Sequence, residues 1–261
     1  MKSFDINARG RRLAVSQWGD VQADAPAWVL MHGGLDCTST WKDLPERLHV
    51  LTGLPVVSYD RYGHGRSEKL AERRRLVYRH EESGPAFEEV LGACGVGQAL
   101  ILGHSDGGAM GILAAAAHPE TVVGVMACAP TVALEPAMIQ AMTQAKTAFE
   151  SGGLNERLRR HHGDNTDAMF WGWYDAWTAP ESSTWDMSAQ IAAVRCPVQA
   201  LFGQDDEYGW RPSAQALIAH ARTRIEVAAL PGVGHHPQHQ ARLAVEEGVQ
   251  RLLHAVASGS P

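Results

Sequence analysis

The run Gly103-His104-Ser105-Asp106-Gly107 sets a serine between two glycines, directly after the apolar stretch Ala99–Leu102 and directly before a Gly/Ala-rich segment of helical character. A strand, a G-x-S-x-G turn and a helix in that order force the serine into a strained backbone conformation, with its hydroxyl exposed at the end of the strand. Strand and helix then approach closely, which requires small neighbours; Gly103, Gly107, Gly108, Ala109 and Gly111 meet that requirement. A free serine hydroxyl is a weak nucleophile near neutral pH. It needs an adjacent base, and the base needs an orienting acid. The order Ser, acid, His is available downstream: Val198–Gly203 is followed by Gln204, Asp205, Asp206 and Glu207, and Val227–Gly232 by Val233, Gly234, His235 and His236. Residue type alone leaves open which carboxylate and which histidine would serve.

These residues must be held by something, and the surrounding pattern indicates what. Short continuous apolar runs end at His32-Gly33-Gly34, Asp60, Ser105, Pro130, Asp206 and His235. Runs of that kind are strands of a parallel sheet buried on both faces. Helical patterns lie between them, at Glu88–Cys94, Gly107–His118 and Gln240–Val256, the last with Leu243, Val249, Leu252, Leu253 and Val256 mainly on one face. Before them, SFDIN and RRLAVSQW form a two-stranded entry. Alternation of strand and helix means an α/β protein with helices on both faces of the sheet, and its sites form at the carboxyl ends of the strands. The chemically interesting residues fall at those ends. Only Thr131–Gln190 breaks the alternation. It is too long for a plain loop and holds Trp171, Trp173, Trp177 and Trp185. The expected organisation is a core domain of residues 1–130 and 191–261 with a helical cap over 131–190. The aromatic residues of the cap form its own core or, in the case of Trp171, Trp173 and Trp177, line an apolar substrate pocket.

At this point the chain resembles the α/β-hydrolase superfamily of serine hydrolases, over essentially its full length. His32-Gly33-Gly34 matches the HG loop of that family, Asp60-Arg61-Tyr62-Gly63-His64-Gly65-Arg66-Ser67 its D-R-x-G-x-G-x-S segment, and Gly103–Gly107 its nucleophile elbow. A G-x-x-D pattern selects Asp206 as the acid, and a G-H pattern selects His235 as the base. The resemblance implies the α/β-hydrolase fold: a mostly parallel sheet, helices on both faces and an inserted helical cap. It also implies an oxyanion hole of two backbone N–H groups, one from Asp106 and one from Gly34 or Leu35. Leu35 and the Asp106 carboxylate would then stand near the substrate mouth. Asp106 either attracts a cationic substrate, as in relatives that cleave amino-acid esters, or is an anion stabilised at a helix N-terminus. The implied activity is hydrolysis of a carboxylic ester or thioester of a small to medium, partly apolar substrate through an acyl-enzyme. Two other readings stand beside it: a carbon–carbon bond hydrolase acting on aromatic ring-cleavage products, and a non-catalytic ligand-binding protein on the same fold. Serine rather than aspartate at the elbow argues against haloalkane dehalogenase and ordinary epoxide hydrolase chemistry.

Composition removes other classes. A formal net charge of −6 argues against a nucleic-acid partner. No apolar stretch approaches the ~20 residues that cross a bilayer, and the first residues lack a signal-peptide core. Cys37, Cys94, Cys128 and Cys196 are scattered and are expected to be reduced thiols, consistent with a cytoplasmic setting. His235, His236 and His239 lack the glutamate of an H-E-x-x-H site, and Pro237 interrupts them, so no metal is expected. Gly63-His64-Gly65 lacks the dinucleotide spacing and is expected to be a structural turn. The cluster Glu72–Arg75 is expected to be a solvated face. The expected partner is a small-molecule substrate, with no cofactor, nucleic acid or membrane; monomer and homodimer both remain open.

Overall fold

The computed structural model describes residues 1–72, 74–134 and 136–259. Among them eight strands form one sheet: β1 (Lys2–Ala8), β2 (Arg11–Trp18), β3 (Pro26–Met31), β4 (Val56–Tyr59), β5 (Gln98–His104), β6 (Val122–Cys128), β7 (Val198–Gly203) and β8 (Ile225–Leu230), in the order β1-β2-β4-β3-β5-β6-β7-β8. β1 and β2 pair antiparallel across the two-residue turn Arg9-Gly10. Both turn residues have positive φ, the geometry that suits a tight hairpin. β2 is antiparallel to β4, and the pairings from β4 to β8 are parallel. The helices are α1 (Leu44–Thr52), α2 (Tyr78–Ser83), α3 (Pro85–Cys94), α4 (Asp106–Ala117), α5 (Pro136–Glu150), α6 (Gly153–His162), α7 (Thr166–Thr178), α8 (Ser188–Ala193), α9 (Arg211–His220), α10 (Pro237–Gln240) and α11 (Arg242–Ala257).

The central strands are buried on both faces, and their alternation divides the apolar residues into two cores. Val29, Ile101 and Val125 point to one side, where Phe87 and Val90 of α3, Ile112 of α4 and Leu217 of α9 pack. Trp28, Leu30, Leu100 and Leu102 point to the other, against Leu44 and Leu48 of α1 and Val245, Val249 and Leu252 of α11. The buried stripe of α11 therefore runs through Val245, Val249 and Leu252, at i, i+4 and i+7. Leu243, expected on that face, is 74% exposed. It precedes Val245 by two residues and is turned about 200° away from it around the helix.

Between β6 and β7 the chain leaves the sheet. Ala133 and Asp186 form an isolated antiparallel bridge at the base of this excursion. Within it Met138, Met142, Phe149, Leu158, Met169, Phe170, Trp173 and Trp177 make a third apolar cluster. Phe149 and Phe170 stack with ring centroids 3.8 Å apart. α8, at the far end of the inserted range, packs on α4 and α9 and so belongs with the sheet layers. Among the described residues no helix is long and apolar enough to cross a membrane. The four cysteines are buried and unpaired.

Charge is buried where α2 meets α4. Arg79 is fully buried; its Nε donates to Asp106 Oδ1 at 2.5 Å, and its guanidinium lies 3.6 Å from the Trp177 ring centre. Tyr78 donates to Asp106 Oδ2 at 2.5 Å. Arg61 Nη1 stands 3.4 Å from the same oxygen and 3.1 Å from Glu82 Oε2. Arg74 completes the group, donating to Glu82 Oε1 at 2.6 Å and to the Tyr62 carbonyl. The expected solvated face at Glu72–Arg75 is thus corrected at Arg74, whose side chain is 4% exposed; Arg73 lies outside the described residues. A lone run of charge in the sequence does not reveal that Glu82, one helix later, folds back to meet it.

Removing one member of a buried ionic group leaves its partners' charge uncompensated, which costs about 3–5 kcal/mol. Asp106→Asn is expected to lower the unfolding free energy extrapolated from urea denaturation by that much, through a lower midpoint at an unchanged slope. A loss below about 1 kcal/mol, within the range of ordinary surface changes, would mean that the buried group does not depend on the Asp106 charge.

Candidate active site

β5 ends at His104 and α4 begins at Asp106, so a single residue reverses the chain. Ser105 does so at φ 54°, ψ −118°, a region that a residue with a Cβ rarely occupies and that costs about 1–3 kcal/mol. The turn is held from several sides. Ser105 N–H donates to the Cys128 carbonyl at 2.8 Å, and the Ser105 carbonyl accepts from Gly108 and Ala109. A Cβ on Gly107 would overlap the carbonyl oxygens of Met31 and His32, and one on Gly103 would overlap the Gly107 carbonyl.

The loops after β7 and β8 bring two more side chains to this point. His235 Nε2 is 2.9 Å from Ser105 Oγ, and His235 Nδ1 is 2.8 Å from Asp206 Oδ2. The second oxygen of Asp206 accepts the Tyr208 N–H at 2.8 Å, so the carboxylate is fixed at both ends. With Nδ1–H given to Asp206, Nε2 is the free acceptor for the serine hydroxyl. The neighbours considered from sequence go elsewhere. Asp205 and Glu207 are exposed, and Glu207 lines the adjoining cleft. His236 stacks on His104, ring centroids 4.7 Å apart, and burial followed by the His104 charge pushes its pKa down to about 3.

The loop after β3 is held by its carbonyl oxygens. Gly33 O accepts from Arg61 Nη2 at 2.9 Å and from His32 Nδ1 at 2.9 Å; Gly34 O accepts from His64 Nε2 at 3.1 Å; Leu35 O accepts from His162 Nε2 at 3.1 Å. In a trans peptide the C=O of one residue is antiparallel to the N–H of the next. Tying back the Gly33 and Gly34 carbonyls therefore turns the Gly34 and Leu35 N–H groups the opposite way. Asp106, as the first residue of α4, has an N–H with no acceptor inside its helix. Three of the supporting histidines act as neutral rings. His32 accepts the Arg61 N–H at 3.0 Å and His162 the Gly65 N–H at 2.9 Å, each through the nitrogen not used as a donor. Burial pushes the pKa of His32, His64 and His162 below the ordinary histidine value, and the charge of Arg61 adds to the effect at His32 and His64.

A cleft of about 420 Å³ opens above Ser105. Leu35, Trp173 and Trp177 line it, together with Met138 and Ala141 of α5 and Leu158 of α6. The Trp173 indole covers Gly34 so closely that a Cβ there would overlap it. Trp171 does not line the cleft. It lies about 200° around α7 from Trp173 and packs edge-on to Phe149, Phe170 and Tyr174. Asp106 borders the cleft, but its carboxylate is 2% exposed. Burial opposes its charge, and Arg79 and Arg61 outweigh that and take its pKa down to about 2. An anion already held by two arginines and a tyrosine has no charge to offer a cationic substrate, which corrects that reading of Asp106. Gly63-His64-Gly65 is a turn whose histidine supports the loop after β3. Among the described residues no three His, Cys, Asp or Glu side chains converge as metal ligands.

Sequence reasoning missed His104, Asp36 and the whole contribution of α5 and α6 to the cleft. The apolar spacing Met138, Ala141, Ala145 was the available sign in α5; nothing in the sequence joined Asp36 to His104.

Comparison with known proteins agrees with this architecture. A lipase of Mycobacterium tuberculosis, Lipase LipV, is 27% identical over 210 residues, which are 80% of this chain and 71% of that one. An alpha/beta hydrolase enzyme from a Medee basin deep-sea metagenome library superposes with a TM-score of 0.76 at 15% identity, covering 95% of this chain and 96% of that one. Naproxen esterase from Bacillus subtilis does so with a TM-score of 0.72 at 18% identity, covering 97% and 91%. At these identities the two structures are alike in fold. The sequence profile of the Alpha/beta hydrolase family matches residues 28–247, from β3 into α11 and through every loop that carries the site, and the chain belongs to that family.

Proposed function

We propose that this protein is a serine hydrolase that cleaves a small to medium carboxylic ester or thioester with a partly apolar body. The observation that carries the reading is the unbroken hydrogen-bonded chain from Ser105 Oγ through His235 to Asp206, at the floor of an apolar cleft. The printed name of the mycobacterial relative, a lipase, supports an ester as the bond cleaved.

His235 Nε2 takes the Ser105 proton as Oγ attacks the substrate carbonyl. Asp206 holds the ring in the productive tautomer and stabilises the imidazolium that forms. Negative charge develops on the former carbonyl oxygen. It is received by the Asp106 N–H and by the Gly34 or Leu35 N–H, which the tied-back carbonyls orient in advance; one such donor contributes about 3 kcal/mol. The imidazolium then protonates the leaving group, and water, deprotonated by the same histidine, clears the acyl-enzyme. The apolar wall of Trp173, Trp177 and Met138 takes up the body of the substrate.

Ser105→Ala is expected to lower kcat on p-nitrophenyl esters by about 10⁶-fold, and Asp206→Asn by about 10⁴-fold, with little change in KM. Retention of more than a tenth of the activity in Ser105→Ala would exclude a serine mechanism. In a series of acyl chains, kcat/KM should rise by up to about fourfold per methylene, as ~0.8 kcal/mol of burial each implies, until the cleft is full, and then fall. A flat series would place the acyl group outside the cleft.

A further inference from the structure

A second histidine–carboxylate pair lies directly behind the first. His104 Nδ1 is 2.9 Å from Asp36 Oδ2, and His104 Nε2 is 2.8 Å from the backbone carbonyl of His235. The His104 side chain is 2% exposed. A carbonyl oxygen and an ionised carboxylate only accept hydrogen bonds, so a ring placed between them must donate from both nitrogens. The alternative, a protonated Asp36 donating to Nδ1, is opposed by its surroundings. Burial works against the Asp36 charge, but the hydrogen bond to His104 outweighs it and holds the carboxyl well below the usual carboxylate range.

We infer that His104 and Asp36 are positioning residues: an imidazolium–carboxylate pair, its ring buried and its carboxylate at the edge of the cleft, that locks the loops carrying the base and the oxyanion-hole amide to the nucleophile elbow. This rests on the serine-hydrolase reading above. Three pieces of the site meet at the pair. Asp36 belongs to the loop after β3 and returns its own N–H to the Gly33 carbonyl. His104 immediately precedes Ser105. His235 is gripped twice, its carbonyl by His104 and its ring by Ser105, so two consecutive residues hold both ends of the same histidine. Gly33 is part of the lock, because a Cβ there would collide with Asp36 Oδ2 and His104 Nδ1. The edge of Trp41 and the face of His236 close off the ring.

The charge state is tested directly by ¹⁵N spectra of histidine-labelled protein between about pH 6 and 9, across and above the ordinary histidine range. The titratable groups around the pair are His32, Cys37, Cys128, His162, Tyr208, His235, His236 and His239 as well as Asp36 itself. One ring should carry a proton on each nitrogen, as its two acceptors require, and its signals should be lost in His104→Gln and shifted in Asp36→Asn. A His104 ring with one bare nitrogen at pH 7 overturns the inference. In ester hydrolysis, His104→Gln and Asp36→Asn should each lower kcat about 10²-fold, the cost of a misplacement of ~1 Å, with KM little changed. The double variant should fall no further than the worse single. Because Asp36→Asn removes a negative charge from beside the base, it should also move the acid limb of the kcat profile, which a purely structural contact would not do. Losses that add in the double variant, or an unmoved acid limb, would reduce the pair to ordinary packing. If His104→Gln fails to fold, the wild-type spectra and Asp36→Asn still decide. If the wild type hydrolyses no ester, the functional reading fails while the spectra still judge the pair.

Discussion

The structure depends most on the single-residue reversal at Ser105. A strand buried on both faces arrives, a helix packed on the same sheet departs, and only one residue stands between them. The positive φ at that residue is sustained because the surroundings leave no alternative. Gly107 lies against the ends of β3, Gly103 lies against α4, and the Ser105 amide is bonded to β6. The apolar burial of the three strands β3, β5 and β6 thus holds a hydroxyl in a strained place. The same geometry presents the Asp106 N–H beside that hydroxyl, so the nucleophile and the anion donor of the proposed mechanism arise from one turn.

The polar groups around the elbow follow a division of labour set by partners. His32 and His162 each donate to a carbonyl through one nitrogen and accept a backbone N–H through the other, while His64 donates to the Gly34 carbonyl through Nε2 and has both the Tyr62 carbonyl and the Arg74 guanidinium beside Nδ1; burial, with the Arg61 and Arg74 charges at His64, keeps the three rings neutral. Such rings are well suited to fixing backbone, since they add no charge near a reacting centre. The charges that are buried come as a mutually paired group, Asp106 and Glu82 with Arg61, Arg74 and Arg79. Asp106 gives its carboxylate to the fold, which decides between the two readings that its position next to a serine leaves open.

The parallel sheet, the elbow and the order Ser105, Asp206, His235 were legible because each rests on local pattern: apolar runs, small residues at a tight turn, and chemistry at strand ends. The resemblance to a known family sharpened the choice among Asp205, Asp206 and Glu207, which residue type left open. What stayed hidden depends on contacts distant in sequence. Asp36 and His104 are 68 residues apart, and His162 reaches Leu35 across 127. The face of a helix was misjudged where too few positions constrained its phase. Leu243 was assigned inward and Trp171 to the cleft, although each is turned about 200° from the residues that do point there. Arg74 was hidden for a different reason, since a charged run reads as surface until its partners are located.

The inserted helices are bound to the elements beneath them by the residues that shape the site. Trp173 covers Gly34, His162 holds the Leu35 carbonyl and the Gly65 amide, and Trp177 lies on the Arg79 guanidinium that neutralises Asp106. The wall of the cleft and the orientation of the loop amides are therefore consequences of the same contacts. A change that reshapes the wall at Trp173 or Trp177 also moves a support of the loop after β3 or of α4. Under the proposed mechanism, substrate fit and transition-state stabilisation are coupled, and the coupling runs through side chains of α6 and α7.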